Sequence, residues 1–150
     1  MKRKPLFIPV MLGTALSVVS TLSEANSKLI HVTAKIVQQA FIGEPTDPQL
    51  GDRLITNVDL FDDRSIKVGT GAGVCTIFSI PPLDTLQECL LTVVFAKGQI
   101  ILGGVASLPV VGASAKFGIL GGTGKFRRAK GEGTFVVTAE GVVDTTLSLK

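Results

Sequence analysis

From residue 29 onward, the chain repeats short apolar or alternating segments separated by glycine, proline and acidic turns. β-branched residues and phenylalanine are frequent in these segments, and no segment has the periodicity of a long amphipathic helix. The pattern predicts eight strands, at residues 29–41, 53–61, 66–80, 86–96, 99–108, 113–120, 134–139 and 142–149. Short connections between so many strands predict an all-β, eight-stranded antiparallel β-barrel, with a β-sandwich as the alternative.

A glycine-rich stretch at residues 121–133 precedes the seventh predicted strand and contains five glycines and four cations. Glycine tolerates positive φ and close backbone approach, so the stretch predicts a sharp corner of the barrel. It is not a nucleotide-binding loop, because Ile119 stands where the first glycine is needed and Phe126 follows Lys125. The cations lack interleaved aromatic residues, so we expect a solvated turn and no nucleic-acid partner.

The first 25 residues have the pattern of a secretory signal. Three cations precede an apolar run from residue 6 to residue 19, and Ser23 and Ala25 suit a cleavage site. This run is shorter than the roughly 20 residues of a membrane-spanning helix. We therefore expect an exported, periplasmic or extracellular protein with no stable membrane span, and a single barrel domain at residues 26–150. An uncleaved anchor and a buried helix are the alternatives. The basic charge lies largely in this segment, since the remaining chain carries a net charge of about +1.

The two cysteines, Cys75 and Cys89, are both seven residues from Pro82 in the predicted hairpin. If Pro82 marks the centre of that hairpin, the cysteines face each other on paired strands, within disulfide distance. Export favours a structural disulfide. Two buried free thiols and a reactive thiol are the alternatives. One histidine and two cysteines are too few for a zinc site, so no metal is expected.

Three motifs resemble the allene oxide cyclase and dirigent superfamily of barrels, most closely its short exported bacterial members. These are Gly51-Asp-Arg-Leu-Ile-Thr-Asn-Val-Asp-Leu-Phe-Asp62, Val68-Gly-Thr-Gly-Ala-Gly-Val-Cys75 and Ile119-Leu-Gly-Gly-Thr-Gly-Lys-Phe-Arg-Arg-Ala-Lys-Gly131. The resemblance covers residues 51–150. It implies an eight-stranded barrel with an apolar cavity that works without a cofactor, and a homotrimer or homodimer. Cys75 matches a cavity cysteine of the cyclases, but Val58 stands in place of their second-strand asparagine, which argues against allene oxide cyclase activity itself.

The resemblance implies that Cys75 faces inward, and the period of two along a strand then selects the neighbouring cavity residues. We expect Gly71, Gly73 and Ile77 on its own strand and Leu91, Val93 and Phe95 on the facing strand to line the cavity. The alternative is that facing side chains fill the space beside these glycines.

Asn57, Asp59 and Phe61 share one face of the second predicted strand. If that face is inward, Phe61 lines the cavity, and Asn57 and Asp59 join Cys75 as candidate catalytic residues, with Asp59 as an acid or base. If it is outward, they are ordinary solvated residues.

The sequence therefore predicts an exported, cofactor-free barrel that binds a small hydrophobic molecule. Cyclisation or isomerisation, directed by the shape of the cavity, is the leading reaction class. The alternative is a non-catalytic structural or ligand-binding barrel, and the sequence leaves open which of the two applies.

Overall fold

A computed structural model of the chain describes residues 28–150, and the expected export signal at residues 1–25 lies outside them. The described chain contains eight strands and one short 3-10 helix. The strands are β1 (Lys28–Ile42), β2 (Arg53–Phe61), β3 (Lys67–Ser79), β4 (Leu86–Phe95), β5 (Gly98–Ser107), β6 (Ser114–Gly122), β7 (Gly131–Ala139) and β8 (Val142–Leu149). Within residues 28–150, no helix is long and apolar enough to cross a membrane.

The strands form a closed antiparallel barrel in sequence order, and β8 pairs with β1 to complete it. The predicted all-β, eight-stranded antiparallel barrel is confirmed, and every predicted strand corresponds to an observed one. The largest difference is at β7, which begins at Gly131 rather than at residue 134. Gly131 and Gly133 pair with Leu149 and Leu147 of β8, so the glycines that suggested a turn belong partly to the sheet.

The two ends of the barrel differ in their connections. The connections 43–52, 80–85, 108–113 and 140–141 form one end, which we call the open end. The connections 62–66, 96–97 and 123–130 form the other, which we call the closed end. Because neighbouring strands are antiparallel, each strand runs from one of these ends to the other.

The closed end is filled by large apolar side chains. Ile100, Leu102 and Leu147 have no exposed surface, and Phe126 retains only 7%. The rings of Phe95 and Phe126 lie 5.7 Å apart between centroids, within the range of a favourable aromatic pair. Large buried apolar side chains therefore fill the barrel core at this end.

The 3-10 helix η1 (Gly124–Phe126) closes that end and directs Phe126 into the core. Thr123 and Lys125 donate backbone hydrogen bonds of 2.9 Å to the carbonyls of Gln99 and Lys97, which fixes the connection against the β4–β5 turn. Gly124 has a φ of 56°, and a Cβ there would overlap the Lys97 carbonyl oxygen. The glycine-rich stretch is thus an inserted plug as well as a corner, because glycine allows this close approach.

Candidate functional site

An apolar cavity of about 200 Å³ occupies the half of the barrel next to the open end. Its wall includes inward residues of β1, β2, β3, β4, β6, β7 and β8, together with the 106–115 region around the β5–β6 connection. Many of these residues are small, including Ala34, Gly73, Ala106, Ala113 and Ala115. The cavity exists because such side chains do not reach the barrel axis.

Strand alternation determines which residues face the cavity. On β2 the inward residues are Leu54, Thr56, Val58 and Leu60, the even positions. On β1 a bulge between Ile36 and Gln38 changes the alternation, so that Gln39 faces the cavity whereas Gln38 lies outside.

A disulfide between Cys75 and Cys89 forms part of the cavity wall, and their Cα atoms are 4.0 Å apart. The two residues are direct partners in the β3–β4 register, so the predicted bond is confirmed. The sulfur of Cys75 consequently has no thiol to act as a nucleophile or an acid. This corrects its expected catalytic role, although its place in the cavity wall agrees with the sequence prediction.

Polar groups in the wall are few and uncharged. Gln39, Thr56, Gln87, Ser107, Ser114 and Thr145 are among them. No Asp, Glu, His, Lys or Arg among residues 28–150 lines the cavity. Within the described chain, no group of three or more His, Cys, Asp or Glu residues could hold a metal ion. The wall can therefore supply shape and hydrogen bonds to a ligand, but no side chain that titrates near neutral pH.

Gln87, like Thr145, is a polar wall residue that is almost fully buried, at 3% exposure compared with 2%. Its Nε2 donates a 3.0 Å hydrogen bond to the backbone carbonyl of Ser107. Its Oε1 is buried and has no hydrogen-bond partner among the described residues.

Asn57, Asp59 and Phe61 lie on the outer surface of the barrel, which is the second of the two placements that the sequence left open. Phe61 therefore does not line the cavity, and Asn57 and Asp59 are not placed there as catalytic residues. Asn57 Nδ2 donates a 3.0 Å hydrogen bond to Gln38 Oε1, and Asp59 forms a 2.7 Å ion pair with Lys67. The Lys35 ammonium lies 4.9 Å from the centroid of the Phe61 ring. Asn57 and Asp59 border a groove on the outer face with Val37 and Thr70. The physical reason is hydrophobicity: the even face of β2 is the more apolar, so it turns inward.

The other predicted lining residues divide into two groups. Gly71, Gly73, Leu91 and Val93 line the cavity as expected. Ile77 and Phe95 do not. Ile77 is buried at 2% exposure where Gly51 and Asp52 make backbone hydrogen bonds with it, and Phe95 packs on Phe126 at the closed end. The alternation of side chains along a strand correctly predicted the inward face of β3 and of β4. It does not predict how far along the barrel the cavity extends.

Sequence reasoning missed Gln87 and Thr56. Gln87 lies two residues before Cys89, on the face of β4 that the sequence analysis already assigned to the cavity. The alternation of side chains along the strand is therefore enough to predict that Gln87 faces inward. Thr56 was missed because candidate residues on β2 were sought only on the opposite face, which carries Asn57 and Asp59. The sequence does indicate that Thr56 faces inward, because the alternate positions on either side of it are the apolar residues Leu54, Val58 and Leu60.

Charge is segregated between the two ends. Connections of the open end contain five acidic residues and no cation, namely Glu44, Asp47, Asp52, Asp84 and Glu140. Connections of the closed end contain six cations and two acids. The hydroxyl and backbone N–H of Thr46 donate to Glu44 Oε1, and these bonds lower the pKa of Glu44 below its ordinary value. The entrance to the cavity is therefore negatively charged at neutral pH.

No functionally curated protein is detectably similar to this chain in sequence. Among solved structures, a pyocyanin demethylase superposes with a TM-score of 0.72 at 27% identity, over 82% of this chain and 100% of the other. The match to AbnU, an exo-specific intermolecular Diels-Alderase, has a TM-score of 0.65 at 19% identity and covers 81% of this chain and 98% of that one.

The Diels-Alderase AbmU from Streptomyces koyangensis gives a TM-score of 0.66 at 20% identity, over 81% of this chain and 63% of its own. The two Diels-Alderase matches are distant in sequence and show the shared barrel fold. In sequence, the family model of the allene oxide cyclase barrel like domain matches residues 29–147, nearly the whole barrel, and the chain therefore belongs to that family.

Proposed function

We propose that the cavity binds a small, largely apolar molecule and that the protein directs its cyclisation or isomerisation by holding it in a reactive shape. The observation that carries this proposal is the wall itself: it is enclosed by strands, apolar, and free of ionisable side chains among the described residues. Such a wall favours chemistry that depends on conformation and exclusion of water, because it offers no charged group to transfer a proton.

The size of the cavity limits the ligand. At about 200 Å³ it is smaller than the roughly 300–1,000 Å³ of pockets for drug-sized molecules. It exceeds an engineered apolar cavity of about 150 Å³ that binds benzene. One or two fused rings fit inside, and a larger molecule must extend through the open end.

Likeness to the pyocyanin demethylase supports a small organic ligand. That protein shares 27% of aligned residues with this chain, and its whole length is covered. Its named activity is a demethylation, so the likeness supports the class of ligand more than the class of reaction. The absence of an ionisable side chain from the described wall is what favours a rearrangement over an acid–base reaction here.

A non-catalytic binding barrel is the second candidate. One specific observation favours it: Gln87 is the one wall residue in the described chain whose buried polar atom lacks a partner. Active sites usually direct several polar groups at the reacting atoms. A protein that stores or carries its ligand needs no such convergence.

Export is part of the proposal for either function. The charge and hydropathy of the first 25 residues support a secretory signal. The Cys75–Cys89 disulfide supports an oxidising compartment, since such bonds are rare in reducing ones.

Native mass spectrometry of the protein purified from its own host tests this function. We expect a bound small molecule in the wild type, and loss of that molecule in Ala106→Leu, whose added side chain fills the cavity. Ala96→Leu makes the same change at an exposed position of the closed end and should keep the ligand. A wild-type protein without any bound molecule would contradict the proposal.

Adding the released molecule back to the protein separates the two candidate functions. Cyclisation and isomerisation conserve mass, so catalysis would yield a product of equal mass and different chromatographic retention. Because no ionisable residue of the described chain lines the cavity, its rate should vary little between about pH 6 and 8. Recovery of the unchanged molecule would support the non-catalytic barrel.

A further inference from the structure

The buried amide of Gln87 is oriented by its single hydrogen bond. Nε2 lies 3.0 Å from the backbone carbonyl oxygen of Ser107, which can only accept a hydrogen bond. The amide nitrogen must therefore face Ser107, and the reverse orientation would place two acceptors together. Oε1 is left as an acceptor with no partner among the described residues.

Gln87 is well placed to meet a ligand. It lines the cavity and pairs with Ala106 of β5, a small residue that also lines the cavity. The terminal torsion of glutamine has a broad energy well. A small rotation can therefore bring Oε1 to the cavity surface while Nε2 stays near Ser107.

A buried acceptor without a partner is unfavourable, and a ligand that supplies an O–H or N–H removes this penalty. A ligand with acceptors alone leaves Oε1 unpaired. The negative charge of the five acidic residues at the open end also opposes the entry of an anion. These two features select on different properties of the ligand, namely its hydrogen-bonding groups and its charge.

We propose that the cavity recognises a neutral or cationic apolar molecule that donates one O–H or N–H to Gln87 Oε1. This inference rests on the proposed function, because it names the class of ligand for the same cavity. Gln87 is then a specificity-determining residue, which separates phenol-like, enol or amine ligands from ethers, hydrocarbons and carboxylates of similar size.

Three naphthalene derivatives test the inference in the intact barrel: 2-naphthol, 2-methoxynaphthalene and 2-naphthoate. They share one ring system and differ in the group offered to Oε1, which is a donor, an acceptor alone, or an anion. Dissociation constants are measured by calorimetry or fluorescence at neutral pH and low salt. The wild type should bind 2-naphthol most tightly, although the methoxy compound is the more apolar of the first two.

The same affinities are then measured for the variant Gln87→Met and compared with those of the wild type. Methionine suits this comparison because it is unbranched and fills similar space without an amide. The ratio of the 2-naphthol to the 2-methoxynaphthalene affinity should fall by about tenfold in this variant, the loss expected for one neutral hydrogen bond. Gln38→Met removes an amide from the outer face and should leave that ratio unchanged. Taking a ratio cancels any general loosening of the fold.

A crystal structure of the wild type with 2-naphthol tests the contact without any variant. The ligand hydroxyl should lie within about 3 Å of Gln87 Oε1. This measurement keeps the inference testable if Gln87→Met does not fold.

The outcomes separate the two proposals. If 2-naphthol and its methyl ether bind with the same affinity ratio in the wild type and Gln87→Met, the donor inference is overturned while cavity binding stands. Tight binding of 2-naphthoate would also overturn it. If none of the three compounds binds the wild type, the donor inference is overturned, and the proposed function is then decided separately by whether native mass spectrometry of the protein from its own host detects a bound molecule.

Discussion

The open and closed ends of this barrel are made from the same eight strands, yet one encloses a cavity and the other is solid. At the closed end, inward positions carry large side chains such as Phe95, Ile100 and Leu102, and Phe126 inserts from η1. At the open end, the corresponding positions carry Gly73, Ala106 and Ala115. The size of inward side chains along each strand therefore determines where the barrel is hollow.

The difference between the ends assigns them different tasks. Burial of large apolar groups is the main favourable term in folding, so we expect stability to come mostly from the closed end. The open end gives up part of that packing, which leaves room for a ligand. A substitution at the closed end should therefore change stability first, and one at the open end should change binding first.

Phe126→Ala is expected to have the largest effect on stability. Phe126 is 7% exposed and packs against Phe95, and removing a buried phenylalanine ring costs about 3–5 kcal/mol in the free energy of unfolding. Urea denaturation followed by circular dichroism measures this loss. Phe78→Ala removes the same ring from a side chain that is 49% exposed, and it should cost less than about 1 kcal/mol.

Equal losses for the two phenylalanine variants would show that η1 does not contribute to the core. The division of tasks between the ends would then be wrong. The division of tasks would be supported if Phe126→Ala lowered the free energy of unfolding while its folded fraction bound 2-naphthol with the affinity of the wild type.

The disulfide at the open end should contribute an intermediate amount. It joins residues separated by 14 positions, and closing a loop of this length stabilises by about 3 kcal/mol in the chain-entropy model. The double variant Cys75→Ala with Cys89→Ala removes the bond and both sulfurs from the wall. We expect a lower urea midpoint together with altered binding of 2-naphthol, because the same atoms line the cavity.

Phe126→Ala is the matched comparison for this disulfide variant, since it lowers stability from the closed end without touching the wall. A disulfide variant with wild-type affinity for 2-naphthol would place the bound ligand away from Cys75 and Cys89. An unchanged urea midpoint would indicate that the unfolded chain without the bond is already compact.

Most of the fold could be predicted from the sequence, because strand alternation, turn residues and three family motifs all indicated the same barrel. The family model confirms the allene oxide cyclase resemblance, while kinship with dirigent proteins stays a prediction. The disulfide was also predictable, since the hairpin around Pro82 fixes the register of its two cysteines.

The site was predicted less well, for two physical reasons. On β2, attention to polar groups selected Asn57 and Asp59, whereas burial of Leu54, Val58 and Leu60 decides which face turns inward. Along β3 and β4, alternation specifies a face but not a depth. The empty half of the barrel depends on side chains from strands far apart in sequence, such as Ala34 of β1 and Ala115 of β6, which no single motif connects.

The smallest effects are expected on the outer wall, which belongs to neither end. Asp59→Asn removes the ion pair between Asp59 and Lys67, whose side chains are 25% and 51% exposed. Ion pairs exposed to solvent contribute about 0.2–1 kcal/mol to the free energy of unfolding. The urea midpoint of Asp59→Asn should be close to that of the wild type. A loss of several kcal/mol would mean that Asp59 has a structural role beyond this pair.

Adjacent residues of β2 test the two faces directly. Asn57→Leu changes the outer surface, and we expect its affinity for 2-naphthol to stay within about twofold of the wild type, a difference below 0.5 kcal/mol. Thr56→Leu adds bulk to the cavity wall one residue earlier and should weaken binding by more than that. The ratio of the two dissociation constants, measured by calorimetry, is the readout. If Asn57→Leu were the more damaging variant, the groove that Asn57 borders outside the barrel would be the binding site. The contrast between a hollow and a solid end would then have no bearing on function.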